Sequence, residues 1–195
     1  MKKILNKEKV KILLLEGIHP SGVDKLEEAG FKNIERLEGA LQDEALIQKL
    51  AQVDLVGIRS NTHLTSKVLK ACPQLTAIGC FCIGVNQVDL NAATHLGIPV
   101  FNDPYSNTRS VAEMVLALAI ILMRDLFSKS IAAHKGEWRK VTEGAHEVRG
   151  KTIGIVGYGH VGSQVSSLAE ALGMSVIYYD IEMKLPLGNA KSVSS

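Results

Sequence analysis

The stretch Thr152-Ile-Gly-Ile-Val-Gly157-Tyr-Gly159-His-Val-Gly162, followed by Ser175-Val-Ile-Tyr-Tyr179-Asp180, decides the fold. Glycine-rich turns are common, so G-x-G-x-x-G by itself says little; its flanks give it meaning. Thr152–Val156 predicts a strand, about His160 to Leu172 a helix, and Ser175–Tyr179 a second strand ending in Asp180, 18 residues past Gly162. Gly157 permits the turn out of the strand. Gly159 lets a pyrophosphate approach the backbone without meeting a Cβ, and Gly162 lets the helix pack close to the strand. A helix start presents N–H groups and partial positive charge to phosphates, so His160 and Val161 are expected to offer backbone amides rather than side chains. Asp180 can accept hydrogen bonds from both ribose hydroxyls and would repel a 2′-phosphate, which favours NAD over NADP. Ile181 supplies no replacement cation, although Lys184 is near in sequence. The alternative is a tight turn in an α/β sheet that holds no ligand.

Upstream, short apolar strands alternate with helices. Strands are expected at Val10–Leu15, Ile34–Leu37, Leu55–Ile58, within Leu75–Ile83 and at Ile98–Phe101. Val10–Leu15 lacks polar alternation, which suits a strand buried on both faces. Helices are expected over Ser21–Ala29, from Asp43 as cap to Ala51, from Thr65 as cap to Ala71, and from Asp89 as cap to Gly97. Ala29-Gly30-Phe31, Leu96-Gly97-Ile98 and Leu172-Gly173-Met174 each place glycine where a helix needs a left-handed residue to stop. Such units imply a mostly parallel sheet with helices on both faces.

Asn102–Asn107 has a loop composition and marks a boundary between residues 1–102 and 103–195. Ser110 and Glu113 form a capping-box pattern, opening a helix to about Phe127. Its apolar residues surround most of the helix, so protein is expected to cover it nearly all round. Thr152–Val156 reads as a central strand with one neighbour missing, which predicts poor solubility or reliance on a partner. Ser192–Ser195 reads as a frayed end.

Across 195 residues, 46% are hydrophobic and 22% charged, which excludes a disordered chain. Lys and Arg number 22 against 20 Asp and Glu, without a basic block, so neither nucleic acid nor an anionic membrane is expected as partner. Four Phe, four Tyr and one Trp are too few for a base-stacking surface. Cys72, Cys80 and Cys82 lack CxxC spacing; Cys80 and Cys82 fall in an apolar run read as a buried strand, with a redox or metal pair as the alternative, and no metal site is expected. This usage fits a reducing, cytoplasmic setting. Met1–Lys9 lacks the apolar core of a signal peptide. The apolar run Met114–Met123 is far shorter than the roughly 20 residues a spanning helix needs.

Four further segments narrow the reading: Gly57-Ile-Arg59-Ser60-Asn61-Thr62, Gly79-Cys-Phe-Cys-Ile-Gly84-Val-Asn-Gln-Val-Asp89, Ser106-Asn107-Thr-Arg109-Ser110-Val-Ala-Glu113 and Lys184-Leu-Pro-Leu-Gly-Asn-Ala190. With the glycine turn, they resemble the D-isomer-specific 2-hydroxyacid dehydrogenases from about Lys9 to Ala190. The resemblance implies an α/β chain: a flavodoxin-like part of a substrate domain, then the first half of a Rossmann dinucleotide-binding domain. It implies oxidation of a small molecule, 3-phosphoglycerate or another 2-hydroxy acid, with NAD as cofactor. Arg59 and Ser60 would face the substrate, where a guanidinium fork suits a carboxylate or phosphate. Arg59 by itself would read as a surface ion pair, but its position directly after Leu55–Ile58 favours a ligand. Asn107 would hydrogen-bond the substrate, and Gly84 and Val111 would line the nicotinamide side. Some relatives carry a second arginine where Asn61 stands. The helix after Ser110, joined by Trp138, would mediate a homo-oligomer; burial within one chain is the alternative.

Oxidising a hydroxy acid requires a general base and a cation for the substrate carboxylate. In the resembled family, an Arg–Glu–His set lies beyond the ribose-binding carboxylate. No His or Arg follows Asp180, and the chain ends 15 residues after it. His63 is the histidine nearest Arg59, but no paired carboxylate is readable beside it. No catalytic residue is therefore assigned, and the expectation is an N-terminal portion that is inactive alone. A noncatalytic NAD-binding or interaction module is the competing class.

Overall fold

Strand β1 (Lys11–Leu14) is buried on both faces beyond its exposed first residue, Lys11. Leu13, with Leu15 just beyond the strand, packs into one core, while Ile12 and Leu14 pack into another on the opposite side. The computed structural model describes residues 6–194; Met1–Leu5, part of the segment read for a signal peptide, and Ser195 lie outside them. The chain divides into two units, Met1–Ser106 and Asn107–Ser195.

In the first unit, β1 is joined by β2 (Asn33–Arg36), β3 (Leu55–Ile58), β4 (Ala77–Cys80) and β5 (Val100–Asn102). All pairs are parallel, in the order β2-β1-β3-β4-β5. This is the flavodoxin-like order, with its switch point between β1 and β3. Helix α1 (Pro20–Glu28) sends Val23 and Leu26 to the face carrying Ile12 and Leu14. Helices α2 (Asp43–Leu50), α3 (Ser66–Ala71) and α4 (Leu90–Leu96) bring Leu46, Leu50, Val68, Leu69 and Ala93 to the other face, against Leu13, Val56, Ile58 and Ile78.

The caps at Thr65 and Asp89 form as expected: their side chains accept N–H bonds from Val68 at 3.4 Å and Ala92 at 2.9 Å. Asp43 does not. It is the first residue of α2, at φ 47°, and Gln42 occupies the cap without a side-chain bond. Aspartate tolerates the left-handed region and here turns the chain into the helix. Cys80 is buried in β4, but Cys82 lies beyond the strand, half-buried, with its thiol donating to the Gly84 carbonyl at 3.3 Å.

The second unit holds α5 (Thr108–Met123), α6 (Leu126–His134), β6 (Thr152–Val156), α7 (His160–Ala171), β7 (Ser175–Tyr179) and β8 (Lys191–Ser192). Its strands are parallel in the order β6-β7-β8, the arrangement of the first half of a Rossmann sheet. Ala112 and Leu116 of α5, Val165 and Ala169 of α7, and Val176 and Tyr178 of β7 share its core. Strand β8 includes Ser192, where a frayed end was expected. Asn189 prepares that strand by accepting the Val176 N–H at 3.2 Å and donating to the Met174 carbonyl at 2.8 Å.

Helix α5 departs from expectation in three ways. It starts at Thr108 with Asn107 as cap; Ser110 Oγ donates to the Asn107 carbonyl at 3.0 Å, and Glu113 pairs with Arg109 at 2.6 Å, so no capping box forms. Asp125, at φ 51°, ends the helical run before Phe127 and α6 begins after it. Met114, Leu118 and Leu122 are exposed, because among the described residues of this unit the core packs against the Ala112–Leu116 side. No helix among the described residues is long and apolar enough to cross a membrane.

Gly97 closes α4 at φ 70°, allowing the Ile98 N–H to reach the Ala93 carbonyl at 2.9 Å. Replacing Gly97 with Ala is expected to destabilise the first unit by about 1 kcal/mol, read as a lower urea midpoint. An unchanged midpoint would contradict the left-handed cap.

Candidate functional site

The glycine turn is assembled by close approach. A Cβ on Gly162 would lie 2.1 Å from the Gly157 carbonyl oxygen, so only glycine lets the first turn of α7 rest there. Gly157, at φ 93°, donates its N–H to the Tyr179 carbonyl at 2.8 Å. At positions 157 and 159, a Cβ would meet nothing within 4 Å, which leaves open space before the backbone. Gly159 caps α7 without a side-chain bond; exposed His160 and half-buried Val161 open the helix.

Asp180 stands at the end of β7 and reaches across to this turn. Its carboxylate accepts the Tyr158 N–H at 2.6 Å and the Glu182 N–H at 2.9 Å. Hydrogen bonding from Glu182, then Tyr158, holds its pKa below the usual carboxylate range, so it is ionised at neutral pH. Lys184 forms an ion pair with Glu182, whose hydrogen bond raises its pKa. Tyr158 is buried, with its ring stacked on Tyr178 at a centroid separation of 3.8 Å. Its hydroxyl donates to Ser166 Oγ at 2.9 Å and accepts the Leu187 N–H at 3.3 Å. The residue between the glycines thus ties the turn to α7 and to the loop beyond β7.

In the first unit, Arg59 and Ser60 follow β3 and are exposed. Among the described residues, no ion pair involves Arg59. Their loop is held from beneath. Glu16, just past β1 and 8% exposed, accepts the N–H groups of Arg59 at 3.0 Å and of Asn61 and Thr62 at 2.9 Å each. Burial pushes the Glu16 pKa up, but hydrogen bonds from the loop outweigh it and hold the carboxyl below its ordinary value. Gln87, also buried, donates to the Arg59 carbonyl at 2.7 Å and the Gly84 carbonyl at 3.3 Å. It thereby joins the loops after β3 and β4.

The remaining expected residues occupy varied settings. Gly84 is exposed, and so is His63. In the second unit, Asn107 begins α5 and its carbonyl accepts the Val111 N–H at 3.0 Å; Val111 is half-buried. Sequence reading missed Glu16, Gln87, Tyr158 and Ser166. The available clue for Glu16 was a carboxylate directly following a wholly apolar run.

Two parallel sheets, one of flavodoxin-like order and one with a glycine turn and an acid at the next strand's end, define an α/β chain of dinucleotide-fold type. A sequence model described as D-isomer specific 2-hydroxyacid dehydrogenase, catalytic domain, matches residues 12–183, and the chain belongs to that family. It is 55% identical over 191 residues to D-3-phosphoglycerate dehydrogenase of Haemophilus influenzae, covering 98% of this chain and 47% of the relative. The chain thus spans about half the length of the curated relatives it matches. Among solved structures, the NAD-dependent formate dehydrogenase of Staphylococcus aureus in complex with NAD matches with TM-score 0.78 and 27% identity, over 95% of this chain and 60% of that one. An acyclic imino acid reductase (Bsp5) in complex with NADPH and D-Arg matches with TM-score 0.81 and 25% identity, over 95% of this chain and 60% of that one.

Placing Ala at position 162 is expected to cost about 1–3 kcal/mol, because the new methyl meets backbone that cannot rotate away. Thermal unfolding followed at the Tyr158–Tyr178 stack should show an earlier transition. Wild-type melting would contradict the close approach.

Proposed function

We propose that this chain is the N-terminal portion of an NAD-dependent D-3-phosphoglycerate dehydrogenase, which converts 3-phosphoglycerate to 3-phosphohydroxypyruvate in serine biosynthesis. The observation that carries this reading is the ionised Asp180 held beside an open glycine turn, in a chain 55% identical to an enzyme of that name. The residues present fit a nicotinamide dinucleotide. Backbone at Gly157, Gly159, His160 and Val161 would hold the pyrophosphate, Gly162 keeps α7 close, and Asp180 would take the ribose hydroxyls. The bound nicotinamide would supply the hydride acceptor. Asp180 and Glu182 place negative charge where a 2′-phosphate would stand, and the Lys184 ammonium is engaged by Glu182; both support NAD over NADP.

On the substrate side, we assign Arg59 and Ser60 to the anionic groups of 3-phosphoglycerate and Asn107 to a hydrogen bond with it. Gly84, in the first unit, and Val111, in the second, are each assigned to the nicotinamide side of the cofactor. Arg59 is exposed and outside every ion pair described, which supports a ligand anion as its partner. With Asn61 in place of a second arginine, this loop offers the substrate one guanidinium. No residue of this chain is assigned as the general base; turnover requires an Arg–Glu–His set supplied by further sequence. Three free cysteines support a reducing, cytoplasmic location. The exposed apolar side chains Met114, Leu118, Leu122, Phe127 and Ile131 support a homo-oligomer formed through the nucleotide-binding unit.

Calorimetric titration is expected to show NAD binding that weakens about tenfold in Asp180→Ala, while NADP affinity does not fall. Equal losses for both cofactors would overturn the assignment of Asp180. Because its pKa is depressed, Asp180 stays charged as pH falls through the ordinary aspartate range. NAD affinity should therefore persist through about pH 4 and decline only below it, as the carboxylate takes up its proton. A decline centred near neutrality would contradict this.

A further inference from the structure

We propose that Glu16 is a positioning residue of the candidate substrate site: its buried carboxylate fixes the Arg59–Thr62 backbone and, with Gln87, sets where the Arg59 and Ser60 side chains begin. The inference rests on the reading that Arg59 and Ser60 bind the substrate.

Three observations carry it. One carboxylate takes three N–H groups from a single four-residue loop, at 2.9–3.0 Å, although it lies just past β1, 43 or more residues earlier. Its own backbone is held from the other side: Glu16 donates to the Gly39 carbonyl at 3.1 Å and Gly17 to the Leu37 carbonyl at 3.0 Å. Glu16 also sits at φ 61°, a conformation disfavoured for a glutamate, so the surroundings enforce its placement. An apolar residue of similar size would fill the volume, but it would leave three amides without an acceptor. The carboxylate is needed for the loop rather than for packing.

Location supplies the functional consequence. Glu16 and Arg59 follow β1 and β3, the two strands flanking the switch point, where ligands of open parallel sheets bind. Gln87 holds the carbonyl of the same Arg59 and bridges to Gly84, so both polar groups of the Arg59 backbone are engaged by buried side chains. The guanidinium therefore extends from a fixed root, and less ordering is required when an anion binds.

The test uses NMR titration of the chain with 3-phosphoglycerate, with inorganic phosphate as a second arm, in wild type, Glu16→Gln, Gln87→Met and Arg59→Ala. Glu16→Gln keeps the size but turns one acceptor into a donor facing an amide. It is expected to weaken 3-phosphoglycerate binding about tenfold at a temperature where the variant is fully folded, while NAD affinity is unchanged. A purely structural role would instead lower the melting temperature without a selective loss of the phosphorylated acid. Gln87→Met, which breaks the bridge from the other side, should give a loss in the same direction and keeps the test decisive if Glu16→Gln does not fold. If Arg59→Ala abolishes binding while Glu16→Gln and Gln87→Met bind as wild type does, the positioning role is wrong and the substrate reading stands. If Arg59→Ala binds as wild type does, the substrate reading falls and the proposal falls with it.

Discussion

The second unit depends on a contact that a single methyl group would prevent. Residue 162 lies so near the Gly157 carbonyl that a Cβ there would stand 2.1 Å from its oxygen. That approach sets α7 against the end of β6, and the rest of the candidate cofactor site follows from it. The chain must leave β6 through a left-handed residue, Tyr158 turns inward onto Tyr178, and its amide meets Asp180. The open backbone at 157 and 159 and the acid at the end of β7 are therefore parts of one local arrangement.

The same device recurs in the first unit with a different outcome. There too, a carboxylate just beyond a parallel strand accepts backbone N–H groups from the loop after another. Glu16 is buried and its oxygens are occupied by Arg59, Asn61 and Thr62, so it shapes a loop. Asp180 is only half-buried, and its oxygens retain capacity for ribose hydroxyls. Burial separates a carboxylate that positions protein from one that can receive a ligand.

Most strands and helices are legible in the sequence because local rules set them: apolar runs for β1, β3, β6 and β7, and a glycine stop for α4. Asp180 and the glycine turn are legible for the same reason, as their spacing is short and fixed. Where competing local interactions exist, pattern reading fails. Ser110 and Glu113 have the spacing of a capping box, but Arg109 takes the carboxylate. Asp125 ends a helical run that composition alone would continue. Strand β8 is set by Asn189 and by pairing to β7, and nothing in its own two residues announces it. Glu16 and Gln87 are invisible to periodicity because their partners lie in loops far along the chain, which only the folded sheet brings near.

We propose that backbone amides at the β6–α7 turn would hold the cofactor's diphosphate and Asp180 the adjoining sugar. Residue-resolved amide shifts during titration of the chain with NAD test it most directly. Gly159, His160 and Val161 are expected to shift most, with Tyr158 and Glu182 following through their bonds to Asp180. Saturable binding with the largest shifts in another element, or no shifts at the turn, would contradict it.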